Sequence, residues 1–224
     1  MGLRIDAFGP DALLVRFAAK GDGAAFGQSQ ALLDHLSQHP LPGLVEATPG
    51  CTTLLLEFEP GRRPDPAVLS VVLQGVARSA RSHVPPTRVI EVPVVYDGVD
   101  LEAVASRAKL TVGRVIELHT APTYQVRLMG FCPGFPYLMG LDRRLHTPRL
   151  ATPRPRVPAG SVAIGGEYTG IYPVSTAGGW NLIGRTSLPL LDAEAATRGS
   201  AEAFRFQVTD AVRFVPVDPG RLPP

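Results

Sequence analysis

Glycine and proline punctuate residues 130–186 so densely that no long helix or strand fits inside the stretch. It opens with Gly130-Phe131-Cys132-Pro133-Gly134-Phe135-Pro136-Tyr137-Leu138 and passes through Thr147-Pro148-Arg149-Leu150-Ala151-Thr152-Pro153-Arg154-Pro155-Arg156-Val157-Pro158-Ala159-Gly160-Ser161. It ends on Tyr172-Pro173 and Gly178-Gly179-Trp180-Asn181-Leu182-Ile183-Gly184-Arg185-Thr186. Aromatic and branched residues lie between the breakers, which is not the polar composition of a disordered chain. The stretch therefore predicts ordered, irregular loops with fixed backbone paths, a common setting for binding groups.

The flanking sequence places these loops on a β framework. From Tyr124 onward, short strands are predicted at 124–129, 161–164, 170–172, 180–184, 204–208 and 212–217, with one short helix near 192–197. Strands that short and that frequent suggest a closed β-barrel, with the 130–160 loop across its mouth.

Upstream, Leu13, Leu14, Val15 and Phe17 predict a strand entered from Gly9-Pro10 and left through a turn at Lys20-Gly21-Asp22-Gly23. Residues 24–38 carry Phe26, Ala31, Leu32, Leu33 and Leu36 at helical spacing and stop before Pro40. Residues 44–48 and 52–58 predict a hairpin about Pro49-Gly50. Asp65 caps a second helix with Pro66 at its first position and an apolar face of Val68, Leu69, Val72, Leu73 and Val76; a strand at 88–96 follows. Strand, helix, strand, strand, helix, strand is the ferredoxin-like order. Two further helices are predicted, 101–108 capped by Asp97 or Asp100 and 112–119 capped by Thr111, with a turn at Lys109-Leu110. A DNA-reading helix-turn-helix needs donors on its second helix. Here Arg114 is the only arginine or lysine there and Glu117 opposes it, so the pair is predicted to be a connector. The expectation is an α+β chain with a ferredoxin-like (βαββαβ) domain at 1–96, a helical connector at 97–122 and a β-barrel domain at 123–224.

Composition narrows the partners. With 224 residues and 45% hydrophobic content the chain can build a sizeable core. A formal charge of +2 nominates neither nucleic acid nor an anionic membrane. The two cysteines, Cys51 and Cys132, are too few for a disulfide framework or a four-ligand zinc site, and no His, Cys or carboxylate cluster has metal-ligand spacing. The N-terminus lacks a signal-peptide h-region and no run reaches the length of a membrane span, so a cytoplasmic location is expected.

Candidate chemistry concentrates in the loops. Five arginines (143, 144, 149, 154 and 156) have no acid among them, a pattern suited to bidentate carboxylate or phosphate binding, or else to a solvated or partner-docking loop. Trp180, Asn181 and Arg185 alternate with apolar residues on a predicted strand, so some face inward. His119, at a helix C-terminus, is either a structural cation or a general base. Cys132 has no base supplied by its surroundings in sequence, and the Gly165-Gly166 and Gly178-Gly179 pairs match no phosphate-binding fingerprint.

These motifs, together with Gly170-Ile171-Tyr172-Pro173, resemble the signature of the 5-oxoprolinase B-subunit (PxpB) family, also named allophanate hydrolase subunit 1 or, after a histidine-kinase inhibitor, KipI. Weaker resemblance reaches upstream through Val115-Ile116-Glu117-Leu118-His119-Thr120 and Pro93-Val94-Val95-Tyr96 to Asp11-Ala12-Leu13-Leu14-Val15. The chain departs from the family at Gly9-Pro10-Asp11, where Gly-Asp is expected, and after Tyr96, where it is shorter. The resemblance implies a ferredoxin-like domain followed by a cyclophilin-like β-barrel. It implies a component, inactive alone, that acts with the C and A subunits of 5-oxoprolinase in the ATP-dependent opening of 5-oxoproline to glutamate, ATP being used by the complex. It further implies that Arg154, Arg156, Tyr172, Trp180, Asn181 and Arg185 line a substrate pocket shared with the C subunit, with His119 at its edge. An inhibitor of a sensor histidine kinase and a component of an allophanate- or urea-type amide hydrolase are the alternatives it leaves open.

Overall fold

In the computed structural model, which describes residues 3–17, 23–79 and 84–222, the chain divides into two units, Met1–Pro85 and Pro86–Pro224. In the first, β1 (Arg4–Ala7) and β2 (Ala12–Arg16) pair antiparallel across a short turn in which Gly9 takes a positive φ. Helix α1 (Gly23–Gln38), the hairpin β3 (Leu44–Pro49) and β4 (Thr53–Phe58), and α2 (Pro66–Ser79) follow. The described residues form a four-stranded sheet in the order β1-β2-β4-β3. Alternation on the two central strands buries Leu13 and Val15 with Leu54, Leu56 and Phe58, and the helices close over them with Leu32, Leu36, Leu69 and Leu73. Asp65 caps α2 as predicted, its Oδ1 accepting from the Ala67 amide at 2.7 Å. Val68, expected on the apolar face, is 65% exposed. The predicted turn at residues 20–23 lies largely outside the described residues.

The ferredoxin-like order needs correction at one strand. The sequence assigns 88–96 to the first domain, but β5 (Val89–Val94) runs parallel to the last strand of the second unit. Alternation identifies a strand without naming its sheet. The edge of β2 that such a strand would need is already paired with β1, and Val92 and Val94 are buried in the second core instead. The unit boundary accordingly falls after Pro85 rather than at residue 96.

The second unit continues with α3 (Leu101–Ala108), α4 (Val112–Thr120), β6 (Tyr124–Met129), β7 (Pro136–Met139), β8 (Arg154–Val157), β9 (Ser161–Gly165), β10 (Tyr168–Ile171), β11 (Thr176–Gly178), β12 (Asn181–Arg185), α5 (Ala193–Thr197) and β13 (Ala211–Pro216). The described residues form a seven-stranded sheet ordered β12-β9-β10-β7-β6-β13-β5, and a bridge between Val95 and Arg185 joins its two edges, so the sheet is a nearly closed barrel. Strand β5 tolerates Pro93 because only Val95, just beyond it, is bridged on its far side. Strands β8 and β11 pair separately as a two-stranded arm. The segment 204–208, predicted as a strand, contributes only a bridge from Phe204 to Leu191.

The helical pair forms where predicted, although Asp100 stands at the N-cap of α3 without a side-chain cap bond. The Thr111 hydroxyl accepts from the Arg114 amide at 3.2 Å, and Lys109 turns the chain between the helices in the left-handed region. Arg114 is paired with Glu117 at 2.6 Å, which occupies the arginine a DNA reader would use. The pair packs Leu101, Val104, Val115 and Leu118 into the barrel core. Among the described residues no helix is long and apolar enough to cross a membrane.

The parallel β5–β13 seam is clamped at its start by a buried carboxylate. Asp210, fully buried, accepts from Arg88 Nε at 3.0 Å and from the Gln207 amide at 2.8 Å, and Arg88 also donates to the Arg205 carbonyl. Replacing Asp210 by alanine strands those donors, and a loss of about 2–4 kcal/mol of stability is expected in denaturant unfolding. A loss under about 0.5 kcal/mol, the range of ordinary surface substitutions, would show that the clamp is dispensable.

Candidate functional site

The hairpin β9–β10 is buried on both faces, and its register separates two environments. Val162 and Ile164 pair with Ile171 and Thr169 and face the barrel core. On the opposite face lie Gly165, opposite Tyr168, and Gly170, opposite Ala163. An aromatic cluster covers that outer face: Phe135 meets Tyr137, Tyr172 and Trp180 edge-on at centroid distances of 5.2–5.3 Å. The indole lies so close to the sheet that a Cβ on Gly165 would come within 2.5 Å of it.

A cavity of about 330 Å³ opens within this cluster, lined by Phe131, Phe135, Tyr137, Tyr172, Trp180, Arg149, Leu150, Pro153 and the Ala177–Gly179 backbone. The sequence predicts a loop across the barrel mouth. The loop divides: Leu141 and Leu145 pack into the barrel core, while Phe131, Phe135, Arg149, Leu150 and Pro153 roof the outer face around this cavity. Arg149 is exposed, with its guanidinium carbon 5.9 Å from the Trp180 ring centroid and no carboxylate partner among the described residues. Burial raises the Tyr172 hydroxyl pKa, opposed by a hydrogen bond with the Trp180 backbone and by the charges of Arg149 and Arg154.

Of the residues that the resemblance points to, Tyr172 and Trp180 line this cavity. The other four hold the surrounding structure. Arg154 donates to Asp100 Oδ1 at 2.6 Å, while Asp100 Oδ2 accepts from the Leu182 amide at 2.7 Å, so one carboxylate ties the start of α3 to β8 and β12. Asn181 donates to the carbonyls of Pro148 and Ile164, tethering the roof to β9. Arg156 is exposed on the arm and donates to the Ser175 hydroxyl at 3.1 Å. Arg185 sits at the barrel seam, paired with Asp97 at 2.9 Å. Arg149 is one of the five arginines of the run, and the sequence does not set it apart from the other four.

His119 is fully buried in the barrel and does not line the cavity. Thr169 donates to the Ala163 carbonyl at 3.0 Å, so its oxygen accepts from His119 Nε2 at 2.8 Å. Nδ1 is left to accept from the Tyr96 hydroxyl at 2.8 Å. This relay suits a neutral imidazole, and burial holds its pKa at about 3. Tyr124 and Phe214 pack against the ring. Cys132 lines a different cavity, and burial raises its thiol pKa. Both cysteines are free thiols, and no group of three or more His, Cys, Asp or Glu among the described residues could hold a metal ion.

With this geometry the chain can be set beside known proteins. Residues 3–200 match the family model described as carboxyltransferase domain, subdomain C and D, a span that takes in the first unit and the second as far as α5. The B subunit of 5-oxoprolinase from Escherichia coli O157:H7 is 44% identical over 185 residues, covering 80% of this chain and 81% of that one. That of Bacillus subtilis (strain 168) is 36% identical over 200 residues, covering 84% and 83%. The chain belongs to the 5-oxoprolinase B-subunit family. Among solved structures, TTHA0988 is 38% identical with a TM-score of 0.76; the match covers 95% of this chain but 41% of that longer one.

The buried imidazole has a consequence with a definite sign. Its folded pKa of about 3 lies below the ordinary 6.5, so the unfolded chain binds the extra proton first as pH falls. The stabilisation is complete above about pH 6.5 and is lost progressively toward pH 3. The stability gap between wild type and His119→Gln should shrink by about 1.4 kcal/mol per pH unit across that window. Unfolding curves from pH 7 to 4 check it, and a constant gap would mean that His119 does not titrate in this way.

Proposed function

We propose that the chain is one component of an ATP-dependent amide-hydrolysing complex that opens the lactam of 5-oxoproline to glutamate, and that the aromatic cavity receives the lactam. The observation that carries this reading is the meeting of ring-lined walls with one uncompensated guanidinium, in a chain whose relatives bear the B-subunit name. A small cyclic amide with a carboxylate matches both features. Its apolar ring edge packs among Phe135, Tyr172 and Trp180, while Arg149 pairs with the carboxylate. Burial within the cluster excludes water from one side of the ring. Arg156, free of any carboxylate among the described residues, supplies a second positive charge on the neighbouring arm. Arg154 fixes the arm through Asp100.

The cavity lining supplies no carboxylate to share the magnesium of a nucleotide and only one cation for its phosphates, so ATP belongs on a partner chain in this reading. The lining also lacks a paired nucleophile and base. Activation of the amide oxygen and delivery of water accordingly fall to the C and A subunits, and this chain binds and orients.

The test is ATP-dependent release of glutamate from 5-oxoproline by the chain alone and by the chain mixed with the A and C subunits. Activity is expected in the full mixture only. Arg149→Ala should raise KM about 10- to 100-fold, the loss of one charge-assisted hydrogen bond. Arg156→Ala should lower turnover with the fold intact, whereas Arg154→Ala should also lower stability, because it strands Asp100. A wild-type KM in folded Arg149→Ala would remove the carboxylate contact. Silence of a well-assembled mixture would remove 5-oxoproline as substrate.

A further inference from the structure

Phe131 is at odds with its surroundings in three ways. It is a large apolar side chain that is 59% exposed. Its φ of +68° lies in the left-handed region, which costs a non-glycine residue roughly 1–2 kcal/mol. It also lines two cavities at once: the aromatic one, and a second of about 620 Å³ whose other walls include Met129, Phe204, Phe206 and Val208. The strained backbone is held by its own turn, in which the Cys132 amide donates to the Gly130 carbonyl at 2.8 Å and the Phe135 amide to the Cys132 carbonyl at 3.1 Å. That turn aims the ring at Phe135 and Tyr172, which it meets edge-on at 5.4 and 6.3 Å. A relaxed backbone would point the side chain elsewhere, so the strain maintains the partition between the cavities.

We infer that Phe131 is a specificity-determining wall: it closes the lactam cavity toward the larger apolar cavity and so restricts the site to a free 5-oxo amino acid, excluding a lactam extended through its carboxyl group into a peptide. This rests on the reading of the cavity as the lactam site. Removal of the ring joins the two spaces, and the walls beyond it suit an apolar side chain. The ligand class admitted on opening is therefore a 5-oxoprolyl peptide with an apolar second residue.

Trp180 is the chain's single tryptophan and lines the cavity, so its fluorescence reports occupancy in the full-length chain without its partners. Titration with 5-oxoproline and with 5-oxoprolyl-phenylalanine should show the wild type binding the first at least about tenfold more tightly; the peptide also forfeits the carboxylate contact with Arg149, so the wall's share is the part of the ratio that changing Phe131 removes. Phe131→Ala should reduce or invert that ratio, mainly by tightening the dipeptide. Phe131→Leu, which keeps a smaller apolar wall, should fall between them. The ratio of kcat/KM values in the assembled complex should move in the same direction. Wild-type ratios in both variants, with circular dichroism showing them folded, would overturn the wall. A wild type that binds 5-oxoproline but does not discriminate against the dipeptide would overturn it too. Absence of any response to 5-oxoproline, in the chain and in the complex, would instead remove the lactam site and the wall with it.

Discussion

The outer face of β9–β10 is buried from water along its length. Tyr168, Gly170, Ala163 and Gly165 lie there, all buried, while the other face of the same residues' strands supplies Val162, Ile164 and Ile171 to the core. Such a hairpin needs cover on both sides, and the chain supplies the second cover as the proline- and glycine-rich roof. Backbone and side-chain bonds hold it down: Leu150 donates to the Gly179 carbonyl, Asn181 to Pro148, and Arg154 to Asp100. Because the cover is made of aromatic rings meeting edge-on rather than of aliphatic chains, it leaves a ring-lined gap. The candidate site is thus a by-product of covering a sheet, shaped by where the roof's anchors fall.

Much of this was legible in the sequence, and the limits follow from range. Caps at Asp65 and Thr111 were readable because a cap and its helix are neighbours. Strands 124–129 and 212–217 were readable within a residue from composition. Choice of sheet was not, because β5 depends on a partner more than a hundred residues away, and a four-residue β1 carrying Arg4 and Asp6 gives little apolar alternation.

The arginine run shows the same boundary. Arg144 is paired by Asp142, one residue outside the run, and Arg154 by Asp100, which no local pattern connects to it. The run suited either an anion site or a solvated or docking loop; folding pairs Arg144 and Arg154 with carboxylates and leaves Arg149 beside the rings. His119 failed for a related reason. Position at a helix C-terminus suggested a cation, but burial dominates over the helix dipole, and Tyr96 and Thr169, contributed by distant segments, fix a neutral tautomer.

The seam of the barrel bears on how the protein is made. Strand β13 stands between β6 and β5, so the first strand of the second unit stays without its lateral partner until the final strand has left the ribosome. The first unit draws all four of its strands from the chain before Pro85 and can be complete by then. The nascent chain therefore carries a finished domain ahead of a barrel held open by sequence order, with the β5 edge that β13 will pair left free until the end. Closure is a late, long-range event of high contact order, and the interval before it is when this protein has most need of chaperones.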